Sequence, residues 1–236
     1  NFGNRRTYQF IVKGKRQDIP EYKPEANEML YWNRTNVIQK PGMELVVPRY
    51  YVYEDVPLRT DMRGDSSHIA FDYILDAGRT PIHSYCDLSI GLRHMPVADT
   101  TKYYIVQKAG KWRSSMGGKY ANGWIKTRVR SLGTFSVDVD TIAPQITPIG
   151  QGGWRTSRNI RFRIKDMESG IGSYKVYIDG KFVLFGLKKG ILVIQNPEKV
   201  KKGVSHKLEV TVTDQCGNMT LSLIHISEPT RRTPIS

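Results

Sequence analysis

Tyr174-Lys175-Val176-Tyr177-Ile178-Asp179-Gly180-Lys181-Phe182-Val183-Leu184-Phe185 is the stretch that decides the fold class. Two alternating runs flank an Asp-Gly pair. Asp-Gly is a strong hairpin signal, because both central positions of the matching two-residue turn need positive φ. The spacing predicts two antiparallel strands and a type I′ turn. Upstream, Ile160, Phe162 and Ile164 face one way, and Arg161, Arg163 and Lys165 the other. Downstream, Leu208, Val210 and Val212 supply another inward-facing set before Asp214-Gln215-Cys216-Gly217-Asn218. Residues 145–220 therefore read as an Ig-like β-sandwich domain, entered through Asp140-Thr141-Ile142-Ala143-Pro144.

The same period of two fills residues 25–140. Met43–Val47 is a strand stopped by Pro48, and Tyr50–Tyr53 is a short successor or a turn. Ile69–Ile74 alternates loosely, and Cys86–Leu92 alternates well, with Leu88, Ile90 and Leu92 on one face. Strands follow over Lys102–Gln107, Trp112–Ser114, Ile125–Arg130 and Thr134–Asp138, with glycines between them. Almost nothing reads as helix. The expected class is all-β, tandem Ig-like or β-sandwich domains. Residues 1–15 read as the last strand of an upstream Ig-like domain, on the run Thr7 to Val12, and residues 16–24 as a polar, proline-bearing linker.

A length of 236 residues suits about two domains, and 39% hydrophobic residues is a globular composition. No run of about 18 apolar residues occurs, so no membrane span is expected in this segment. The net charge of +14 suits anionic partners: acidic glycan, anionic lipid or nucleic acid. The charges are scattered along outward strand faces with no block of five or six like charges, as on a solvated basic surface; as a charged partner an anionic glycan is possible and nucleic acid is not expected. Cys86 and Cys216 fall in different domains and form no CxxC pair, so both are expected as free, packed residues.

Asp166-Met167-Glu168-Ser169-Gly170 and Asp214 to Asn218 both follow strand ends. Their carboxylates could converge on Ca²⁺, but aspartate at such positions more commonly caps a turn. Arg63-Gly64-Asp65 has the form of an adhesion tripeptide that chance supplies readily in a polar loop. His83 and Asp87 have H-x-x-x-D spacing without the third ligand that a catalytic zinc needs. Trp32, Trp112, Trp124 and Trp154 could stack on sugar rings, although tryptophan in a sandwich is more often core. No residue is assigned a catalytic, cofactor-binding or metal-binding role.

Three stretches carry a family resemblance. The first runs from Gly117-Gly118-Lys119-Tyr120 through Gly123-Trp124-Ile125, Arg128 to Phe135 and Asp140 to Pro144. The second is Ser169-Gly170-Ile171, Tyr174 and Ile178 to Leu184, and the third runs from His206 to Asn218. In this order they resemble the non-catalytic C-terminal region of M23-family (LytM-like) metallopeptidases of Bacteroidetes. The resemblance implies an exported parent protein, in the periplasm, cell envelope or outside the cell. It also implies an upstream zinc metalloendopeptidase domain that cuts peptidoglycan cross-bridges, with zinc held there by H-x-x-x-D and H-x-H motifs. Those motifs do not transfer here: His83 and Asp87 match one by spacing alone, and the five histidines form no H-x-H.

What transfers is an accessory role, with a cell-wall or envelope component or the parent's own catalytic domain as partner. The alternatives are a surface adhesin or glycan-binding protein of Ig-like modules, or a basic nucleic-acid binder. Finally, Leu221 to Arg231 resembles translated adapter sequence from DNA library preparation, and Arg232 to Ser236 is consistent with its continuation. Residues 221–236 are on that reading a non-native tail, expected to be disordered or loosely attached. Leaving out Arg231, Arg232 and Glu228 changes the net charge from +14 to +13, so the basic character belongs to the rest of the chain.

Overall fold

A computed structural model describes residues 7–11, 13–14, 25–201 and 204–226. The chain is all-β, with four antiparallel sheets stacked as two sandwiches. The first sandwich begins with β1 (Glu28–Leu30), β2 (Asn36–Lys40), β3 (Met43–Val47), β4 (Val56–Arg63), β5 (Asp72–Asp76) and β6 (Cys86–Gly91). It continues with β7 (Tyr103–Ala109), β8 (Trp112–Ser115), β9 (Lys119–Ala121), β10 (Trp124–Val129) and β11 (Gly133–Val139). One sheet has the order β1-β4-β5-β11-β7-β8 and the other β2-β3-β6-β10-β9. Alternation builds the core between them: β3 buries Met43, Leu45 and Val47, and β6 buries Cys86, Leu88 and Ile90.

The second sandwich contains β12 (Gln145–Pro148), a one-turn helix α1 (Trp154–Ser157), β13 (Arg161–Lys165) and β14 (Ile171–Ile178). Then come β15 (Lys181–Phe182), β16 (Phe185–Lys188), β17 (Ile191–Ile194), β18 (His206–Asp214) and β19 (Met219–Ile226). Its sheets run β12-β13-β17-β16 and β15-β14-β18-β19. Trp154, Phe162 and Phe185 stack through the middle, with centroids 5.1 and 6.0 Å apart.

The Asp-Gly hairpin forms as its sequence predicts. Ile178 pairs with Lys181, and Asp179 and Gly180 take φ of 50° and 74°. Gly180→Val should destabilise this sandwich by about 1–2 kcal/mol in urea unfolding, because a β-branched residue is strained there. An unchanged midpoint would mean the turn tolerates any residue. Gly172 serves differently. It sits at a register shift in β14, where a Cβ would come within 2.5 Å of the Asp214 carbonyl oxygen.

His206, nearly enclosed, locks the same hairpin. Its Nδ1 lies 2.6 Å from Asp179 Oδ2 and its Nε2 2.8 Å from the Lys201 carbonyl. Both partners accept only, so both ring nitrogens must donate, which requires the imidazolium. Burial pushes the His206 pKa down, but the bonds to Asp179 and Lys201 outweigh it and leave a net rise. The bond to His206, with the Lys207 amide, lowers the Asp179 pKa. A raised His206 gives stability that is full below about pH 6.5 and lost as pH rises through the folded value. A lowered Asp179 gives stability present above about pH 4 and lost as pH falls through its folded value. The thermal midpoint should therefore decline from pH 6 to 8, and His206→Gln should flatten that decline. An equal decline in the variant would remove His206 as its cause.

Two expectations need correction: the bounds of one strand and the looseness of residues 221–226. Residues 7–11 carry no strand among the described residues, and Tyr8, Phe10 and Ile11 are exposed; the strand expected there belongs to an upstream domain that would supply its ladder. The linker expected at 16–24 lies outside the described residues. The strand expected over Ile69–Ile74 is β5 at Asp72–Asp76, because its ladder with β4 starts only where Arg63 meets Asp72. Residues 221–226, expected to be loose, complete β19, which pairs with β18 from Met219–Thr213 to Ile226–His206. The physical reason is that β18 presents an unfilled ladder edge and residues 221–226 can alternate. Ile224 and Ile226 enter the core while Leu221 and Leu223 stay outside. The rest of the tail lies outside the described residues.

Candidate functional site

Aspartates at strand ends join the two sandwiches. Asp140 follows β11 and is wholly buried; its Oδ1 accepts from the Ile142 amide and its Oδ2 from the Ser169 amide at 3.0 Å. Asp214 ends β18, where Oδ1 accepts from the Cys216 and Asn218 amides and Oδ2 from Asn218 Nδ2. Asn218 Nδ2 also reaches the Asp140 carbonyl, and Lys102 Nζ donates to the Cys216 carbonyl, each at 3.0 Å. Tyr104 and Val106 of β7 enclose Cys216 in a small apolar cluster. Both cysteines are free and buried, and burial above all pushes each thiol up to about 11, where it is unreactive at neutral pH.

Asp140, Asp166 and Asp214 each bring a carboxylate oxygen within 4.8 Å of the others. Sequence reasoning paired Asp166 with Asp214 but missed Asp140, which is 26 residues before Asp166 and announced only by a domain-boundary motif. Asp166 Oδ1 caps its own turn through the Glu168 and Gly170 amides. The hydrogen bonds of all three are thus those of turn caps and a domain joint. Burial first, and then the charge of Asp140, raise the Asp214 pKa, while the Asn218 bonds lower it. Oxygen ligands so grouped are of the kind that hard divalent cations take.

His83 and Asp87 do not converge. His83 is exposed on the loop before β6 and meets Tyr53 Oη at 3.1 Å, whereas Asp87 lies in the β6 ladder opposite Arg128. Arg63-Gly64-Asp65 leaves β4 in a turn where the Asp65 carboxylate accepts from Ser67 and His68, so local bonding occupies it.

A second feature gathers at the opposite pole of the first sandwich. β2 starts there at Asn36 opposite the end of β3 at Val47, and β6 starts at Cys86 opposite the end of β10 at Val129. From Gly133, β11 leads away to Asp140 at the joint. The loops at this pole expose Trp32 (44%), Tyr50 (54%), Tyr53 (66%) and Tyr85 (54%). Of the four tryptophans, only Trp154 is fully buried, while Trp32 and Trp112 are exposed, against the expectation of core. Tyr50 holds φ at 67°, a conformation costing a bulky residue on the order of 1–3 kcal/mol. Its amide donates to the Trp32 carbonyl at 2.7 Å, and the two rings stand 5.7 Å apart.

Residues 27–140 match the family model of the Zu5-like domain. The match spans the first sandwich, just under half of the chain, and ends at Asp140. The aromatic pole lies wholly inside the matched stretch, and the second sandwich lies outside it. No curated protein matches the chain. No helix among the described residues is long and apolar enough to cross a membrane.

Proposed function

We propose that this chain is the non-catalytic, binding and positioning region of an exported cell-envelope peptidoglycan hydrolase of the M23 type. The observation that carries the reading is the joint. Asp140, Asn218, Lys102 and the Cys216 cluster fix one sandwich on the next through one buried and two half-buried hydrogen bonds and apolar contact. A joint that holds successive modules together suits a region that positions a catalytic domain on its polymer. The resemblance of three ordered stretches to M23 C-terminal regions supplies the parent activity, and the basic surface suits an anionic envelope polymer. Zinc chemistry belongs, on this reading, to the parent's catalytic domain.

A surface adhesin of similar modules is the second reading, favoured by the exposed aromatic pole, since ligand capture needs no attached hydrolase. Sequencing the contiguous gene separates them. An H-x-x-x-D and H-x-H domain encoded upstream in the same frame is expected. An upstream frame that encodes only further β-modules would overturn the hydrolase reading in favour of the adhesin.

A further inference from the structure

We infer that the aromatic pole of the first sandwich is a binding site for an acidic glycan. The inference rests on the wall-associated reading for its choice of polymer. Trp32, Tyr50, Tyr53 and Tyr85 are exposed together on loops at one end of the sandwich, away from the joint. The positive φ of Tyr50 keeps its ring against Trp32, so the chain tolerates strain to present this pair. Among the described residues, the Trp32 indole N–H and the Tyr50 and Tyr85 hydroxyls have no hydrogen-bond partner. A ring face with a polar edge is what a sugar requires, because its C–H face packs on the ring and its hydroxyls take the edge groups.

Charge narrows the ligand. Arg34, Arg49 and Arg128 are exposed and stand 3.7, 5.4 and 5.7 Å from the centroids of Tyr31, Tyr50 and Tyr85. Among the described residues none of the three is ion-paired, so their guanidinium groups remain available to a carboxylate. Carboxylates are interleaved with them: Asp55 Oδ1 accepts from the Trp32 amide, and Asp87 lies opposite Arg128 in the ladder. A backbone with a negative charge on every unit meets both signs in that mixture, whereas a glycan with spaced carboxylates can set them on the arginines and donate its hydroxyls to the aspartates. The pole therefore fits a glycan with spaced carboxylates better than single-stranded nucleic acid, which also stacks on aromatics.

The test is calorimetric titration of the full chain with peptide-stripped peptidoglycan glycan strands, which carry a lactyl carboxylate on alternate sugars. Neutral chitin oligosaccharide and a twelve-residue oligothymidylate are the comparison probes. The stripped strands should bind, and Trp32→Ala and Tyr53→Ala should each weaken binding about tenfold or more, with thermal midpoints retained. Arg49→Glu should weaken the stripped strands while leaving chitin binding within about twofold. If Trp32→Ala lowers the midpoint, Trp32→Phe and Tyr53→Ala decide. Retained affinity in the ring variants would overturn the site, and tighter, competing oligothymidylate binding would overturn the glycan assignment. Intact sacculi that bind the ring variants normally would sink this site alone. Sacculi that fail to bind even the unaltered chain would sink the wall-associated reading with it.

Discussion

Ending the chain at Thr220 should lower the thermal midpoint of the second sandwich by about 15 °C or more. Residues 221–226 fill the edge of a four-stranded sheet and place Ile224 and Ile226 in the core at 8% and 7% exposure. Burying each isoleucine contributes about 1.5–3 kcal/mol, and about 1 kcal/mol shifts a small domain by about 4–8 °C. Truncation also uncovers the edge of β18, whose backbone groups then have only water. Scanning calorimetry of the truncated chain measures this. Ile224→Ser should reproduce much of the loss, while Leu221→Ser, on the outer face, should be nearly silent. A truncated chain melting within about 5 °C of the full one would mean that β19 adds nothing. The resemblance of this segment to adapter sequence concerns its origin. Any alternating segment with apolar residues at alternate late positions can occupy an open ladder edge.

Asp140→Ala should have the second largest effect, about 2–3 kcal/mol, and should separate the melting of the two sandwiches. The wholly buried Asp140 accepts from the Ile142 and Ser169 amides, and hydrogen bonds to a charged acceptor contribute about 1.5–3 kcal/mol each. Part of that is offset, because the Asp140 charge raises the pKa of Asp214 and opposes its ionisation. Calorimetry should show one coupled transition for the unaltered chain and two for the variant, with Asp140→Asn between them. A single unshifted transition in Asp140→Ala would remove the joint as the element that holds the sandwiches together.

The fold was legible wherever side chains alternate beside a turn residue. Asp179-Gly180 fixed its hairpin, and Leu88 with Ile90 fixed the inner face of β6, because period and turn chemistry are local. The aspartate joint was half legible. Asp166 and Asp214 stand at recognisable strand ends, but Asp140 joins them only through the packing of one sandwich on the other. The aromatic pole was not legible. Trp32, Tyr50 and Tyr85 are separated in sequence, and only strand register brings their loops to one end. Residues 221–226 misled because a resemblance says nothing about whether a segment can pack.

Co-sedimentation with purified peptidoglycan sacculi, scored at the same time for released peptides, tests the proposal that this region binds and positions rather than cuts. The chain should sediment saturably with the sacculi, lose that binding in Trp32→Ala, and release no peptides. A chain that stays in the supernatant, or one that releases cross-bridge peptides in a manner abolished by His83→Ala, would contradict it.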